Sequence, residues 1–125
     1  MSEHDSGCPE CSGEFARLAV TCTTHVTGDE RLVALLQCRE CQRYYVEDWV
    51  DVGGWDNSPT EITERLFGPL PRDRAAAVLT DMETCPDPHH RSCRCPVHAR
   101  LDALIEELPT CRIVSRRMVA RPARE

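Results

Sequence analysis

At 125 residues, with 41% apolar residues and 5% aromatic ones, the chain has material for one small core and few large rings to close it; such cores commonly need a metal or disulfide staple. The formal net charge of −6 argues against a general binder of nucleic acid, and no apolar run approaches the ~20 residues that cross a bilayer. Nine cysteines behind an acidic, polar start (Met1-Ser2-Glu3-His4-Asp5) that is no export signal read as metal ligands and not disulfides, which places the protein in the cytoplasm.

Residues 1–7 read as a flexible N-terminus. His4 stands four residues before Cys8, and H-x-x-x-C-x-x-C resembles the ligand run of zinc-binding anti-sigma factors. That motif sits on a helix, which Gly7 and Pro9 oppose, so His4 is assigned to a loose tail. Cys8-Pro9-Glu10-Cys11 is the first C-x-x-C loop. From Phe15 to Val26 the chain alternates, with Leu18, Val20 and Cys22 on one side and Arg17, Thr21 and Thr23 on the other, as a half-buried strand does. Thr27-Gly28-Asp29-Glu30 is a turn signal. Leu32 to Gln37 is a second strand, running into Cys38-Arg39-Glu40-Cys41, the second C-x-x-C loop.

A hairpin that returns one C-x-x-C loop to another can bring four thiolates around one ion, with Zn–S distances of about 2.3 Å. Residues 8–52 therefore resemble the zinc ribbon family in its rubredoxin-like form. The resemblance implies a zinc site at Cys8, Cys11, Cys38 and Cys41, and it is a poor mark of function. The chain departs from the family in having Ser12 and Gln42 where glycine commonly follows the second cysteine of each loop. Gly13 is expected to compensate in the first loop, and the second is expected to be less regular.

Tyr44 to Val52 reads as the third strand. Tyr44, Val46, Val50 and Val52 share one face, interrupted by Asp48; Tyr45, Glu47, Trp49 and Asp51 share the other. Large rings here would close a small sheet. They would equally make a contact surface for a partner, with Tyr45, Trp49 and Trp55 as anchors. Residues 8–56 form the expected ribbon and residues 57–70 a linker, within which Thr60–Leu66 reads as either helix or strand. Pro71 suits a helix start, and Ala75, Val78, Leu79 and Met82 form the apolar stripe of an amphipathic helix.

Residues 71–108 are expected to form a helical hairpin clamped by a second metal. Pro96 and the stripe Val97, Leu101, Leu104, Ile105 and Leu108 mark its second helix. Cys95 and His98 are three residues apart at that helix's first turn, Cys93 lies just before, and Cys85 ends the preceding helix. They make a three-cysteine, one-histidine set, in which His89 or His90 is the alternative to Cys85. Cys22 reads as a small core residue, and Cys111 has no visible role. Residues 109–125 form a basic tail with Arg112, Arg116, Arg117, Arg121 and Arg124, in which Ile113-Val114 and Met118-Val119 can add an edge strand, expected to fold back on the acidic body.

No H-E-x-x-H, zinc-deaminase signature or glycine-rich phosphate loop is present, and both proposed sites are closed, so no enzyme is expected. The sequence thus reads as a small α+β, metal-stabilised protein: a three-stranded zinc ribbon, then a zinc-clamped helical hairpin, with two zinc ions per chain. The expected function is a protein-interaction or regulatory module with a protein partner and no membrane. One alternative is nucleic-acid binding through Arg39, Arg43 and the arginine tail, possible but disfavoured by charge; another is redox or metal sensing through zinc–thiolate oxidation.

Overall fold

The computed structural model describes residues 7–24, 30–53, 60–90 and 92–118. Within them, β1 (Phe15–Thr24), β2 (Glu30–Cys38), β3 (Tyr44–Gly53), β4 (Thr60–Leu70) and β5 (Thr110–Met118) form one antiparallel sheet in the order β1-β2-β3-β4-β5. Helices α1 (Arg72–Glu83) and α2 (Pro96–Glu107) are inserted between β4 and β5. The chain is a small α+β protein, and every strand pairs with its predecessor. Among the described residues no helix is long and apolar enough to cross a membrane.

Two expectations are corrected. The sheet has five strands and not three. Residues 60–70, assigned to a linker, are β4, bonded to β3 on one side and β5 on the other. Ile62 and Leu66 are four apart, which fits one helix face and one strand face equally; the open edge of β3 decides for the strand. The edge strand expected in the basic segment is present as β5, the outer strand of the same sheet, while 119–125 lie outside the described residues.

One face of the sheet is covered by both helices. Val33, Leu35, Val46, Phe67 and Leu70 pack there with Ala75, Val78 and Met82 of α1 and with Val97, Leu101, Leu104 and Ile105 of α2. Apart from Ala75, burying each of these side chains contributes about 1.5–3 kcal/mol. Pro71 precedes α1 and Pro96 occupies the first turn of α2, where a missing N–H costs nothing. The other face carries Ala34, Leu36, Tyr45 and Leu66, which pack with Phe15, Val20 and the cysteines of the first loops. A bulge between Arg17 and Ala19 interrupts the alternation of β1. It moves Leu18 to the surface, 37% exposed, and turns Ala19 toward the helices.

The pairing Phe15↔Cys38 sets the two C-x-x-C loops at the same end of the sheet. The second cysteine group lies where the end of α1 meets the start of α2.

Candidate metal centres

Each C-x-x-C loop is closed by the same backbone bonds. Ser12 N–H donates to Cys8 C=O at 2.8 Å and Gln42 N–H to Cys38 C=O at 3.0 Å; Cys8 N–H donates to Gly13 C=O and Cys38 N–H to Arg43 C=O, both at 2.9 Å. Ser12 and Gln42 both adopt φ 66°. They take the left-handed conformation that glycine enters without cost, so the second loop is as regular as the first. Gly13 serves another purpose: a Cβ there would lie 2.4 Å from Glu40 Cγ and 3.0 Å from Cys38 Sγ, so only glycine lets the loops close on each other.

Cys8, Cys11, Cys38 and Cys41 present sulfurs that all lie within 4.8 Å of one another. Cys8 Sγ to Cys41 Sγ is 3.7 Å and Cys11 Sγ to Cys38 Sγ is 3.4 Å. The edge of a tetrahedron with 2.3 Å Zn–S bonds is about 3.8 Å. Glu40 and Cys41 N–H groups point at Cys38 Sγ, each at 3.4 Å, as donors that stabilise a bound thiolate. Four thiols this close divide their protons unevenly. Cys41 is brought down to about 6, chiefly by the Arg43 N–H, with burial opposing and the Arg43 side chain helping. At Cys11 the Gly13 N–H pulls down, but Cys38, burial, Cys41 and Cys8 outweigh it and push the thiol up to about 12. A divalent cation removes that conflict by accepting all four sulfurs as thiolates.

Tyr45 is 0% exposed and forms the wall of this centre. Its hydroxyl lies 3.8 Å from Cys8 Sγ, and its ring meets Phe15 edge to face at 5.4 Å between centroids. Burial, then the Cys8 contact, raises its phenol above the usual range. Tyr45 therefore cannot anchor a partner. Trp49 is half-buried on the sheet face away from the helices, and Trp55 lies outside the described residues.

The second group is Cys85, Cys93, Cys95 and His98, again with ligand atoms within 4.8 Å of one another. Cys85 Sγ is 3.7 Å from Cys93 Sγ and 3.8 Å from His98 Nε2. Cys85 follows the last turn of α1, its N–H bonded to Met82 C=O; Cys95 is the N-cap of α2, and His98 N–H donates to its carbonyl at 3.3 Å. Burial, with Cys95 and Cys93 adding, pushes the Cys85 thiol up to about 11 against the Asp87 N–H. The Cys95 N–H leads in lowering Cys93. Burial lowers His98, which favours the neutral ring that binds metal. His89 and His90 are exposed and outside the group; His90 Nδ1 is bonded to Ser92 Oγ at 2.5 Å.

The buried carboxylate of Asp48, noticed in the sequence only as an interruption, supports this second group. It is 0% exposed and meets Arg31 Nε at 2.7 Å and Arg65 Nη2 at 2.5 Å. Arg31 continues to Asp102 at 2.5 Å, one helical turn beyond His98. The start of α2 is thereby tied to the sheet. The cue available in sequence was an acid and an arginine on apolar strand faces, with no sign of which would meet.

Cys22 is buried and its N–H donates to Pro88 C=O at 2.6 Å; Cys111 Sγ donates to Gly68 C=O at 3.0 Å. Neither belongs to a metal group. The two groups could each hold a metal ion. No family model, curated protein or solved structure matches the chain.

Proposed function

We propose that this chain is a non-enzymatic zinc protein of the zinc-ribbon kind over residues 8–52, with one zinc in each group, acting as a protein-interaction or regulatory module in the cytoplasm. The observation that carries this reading is that each group supplies four protein ligands, Cys₄ and Cys₃His. Those are the soft donor sets and the coordination number of structural zinc. Four protein ligands leave no open position for substrate or water, so the metals serve the fold. Thiolate ligands persist in a reducing compartment, and all nine cysteines are free. Trp49 is the remaining aromatic anchor for a partner. The decisive experiment pairs elemental analysis of the purified protein with affinity capture by wild type and by Trp49→Ala. Two zinc ions and a partner lost on Trp49→Ala support the reading; iron in place of zinc, or turnover of a substrate, overturns it.

A further inference from the structure

One polar side chain in the sheet has no part in the ladders or the ion pairs. Thr21 is 1% exposed, and its Oγ1 has no hydrogen-bond partner among the described residues. A hydroxyl buried without a partner costs free energy that a valine of the same shape avoids.

The strand sets Thr21 beside the second metal group. Ala19 packs into the core under the helices and Val20 into the core on the other face, so by alternation Thr21 faces the helices. Its ladder partner, Val33, lies in the same core cluster as Cys85. The N–H of its neighbour Cys22 donates to the carbonyl of Pro88, three residues after Cys85. On the adjoining strand Arg31, two residues from Val33 on the same face, reaches Asp102, one helical turn beyond His98. Thr21 is thus bracketed by the loop that follows Cys85 and by the start of α2.

A donor without an acceptor here meets an acceptor short of donors. Cys85 is the buried ligand of its group, whereas Cys93, Cys95 and His98 are half-buried. The Asp87 N–H serves the Cys85 sulfur and is shared with Cys93. Three thiolates and one imidazole leave a divalent ion's site negative, and a sulfur that carries this charge away from water needs further N–H or O–H donors. The hydroxyl proton of threonine turns about its C–O bond to suit an acceptor. Asp48, which follows Val33 on the same cross-strand row, is no competitor: its two oxygens are held by Arg31 and Arg65.

We propose that Thr21 is a positioning residue of the second metal centre, its hydroxyl donating to the Cys85 sulfur when that sulfur binds the ion as thiolate. This rests on the reading of the second group as a zinc site and adds a residue outside its four ligands.

The experiment uses the full chain, loaded with zinc or cadmium. Thr21→Val keeps the shape and removes the hydroxyl. It should weaken zinc binding at the second centre about tenfold or more in competition with a chelator and leave the first centre unchanged. NMR of the cadmium-loaded chain gives one line per centre. The line of the second centre should move in Thr21→Val and keep its place in Thr21→Ser, which retains the hydroxyl and loses the methyl group. A residue that only fills space gives the reverse order, because serine leaves a gap and valine does not. In the unaltered chain the Thr21 hydroxyl proton should exchange slowly with water and correlate with the second cadmium line, which decides the matter even if a variant folds poorly. Wild-type affinity at the second centre in Thr21→Val, a line that moves as far in Thr21→Ser, or a hydroxyl proton with no link to the cadmium would each overturn the proposal. Such a result in protein that holds both ions removes the hydrogen bond alone; a wild-type chain that holds one ion removes the second centre and the proposal with it.

Discussion

Asp48 gives the sharpest test of how the sheet supports the second metal group. Asp48→Ala removes a carboxylate that is 0% exposed and strands two guanidinium groups beside the gap. Breaking a buried ion pair from one side costs about 3–5 kcal/mol. Arg65, 39% exposed, can turn into water; Arg31, 12% exposed, cannot, but keeps Asp102. Both facts place the cost at the lower end, about 3 kcal/mol. Urea unfolding of the zinc-loaded protein measures it. The replacement Asp48→Leu with Arg31→Leu leaves no buried charge unpaired and should return to within about 1 kcal/mol of wild type; Asp102, 54% exposed, is left in solvent, where losing a partner costs little. Because Asp48 holds the Arg31 side chain in place for Asp102 at the start of α2, Asp48→Ala should also speed chelator removal of the ion at Cys85, Cys93, Cys95 and His98. The ion at the Cys8 group should leave at its wild-type rate. A loss below about 1 kcal/mol, or equal labilisation of both ions, would refute the reasoning.

Further outcomes follow from the two centres. Cys38→Ser should release the first ion and unfold the end of the sheet built on it, since metal affinity here is folding free energy; circular dichroism with zinc analysis checks this. Cys85→Ser should leave about one zinc per chain, whereas Cys22→Ala and the His89→Ala, His90→Ala pair should keep both ions. Gln42→Gly should raise stability by about 0.5–1 kcal/mol in denaturant titration, because glycine takes the left-handed conformation without strain. Zinc affinity should rise with pH. The Cys11 thiol, near 12, and the Cys85 thiol, near 11, hold protons at neutral pH that zinc must displace, and Cys41, near 6, is already largely ionised. Titration in buffers of different ionisation enthalpy reads the released protons, and pH-independent affinity would contradict those assignments.

Both metal groups were legible in the sequence because the spacing of their ligands is a local property. A C-x-x-C loop or a Cys95-x-x-His98 turn brings ligands together whatever surrounds it, and the stripes of α1 and α2 show which helix sides are apolar. The faces of β3 were equally plain from alternation, but alternation does not say which face is covered. Tyr45 and Trp49 share a parity, yet Tyr45 is sealed against the first centre while Trp49 is half-exposed. The register that returns Phe15 to Cys38, the pairing that made β4 a strand, and the meeting of Asp48 with Arg31, Arg65 and Asp102 were decided only by the tertiary structure. Each depends on contacts between residues far apart in the chain, where a periodic pattern names the sides of an element and leaves its neighbours open.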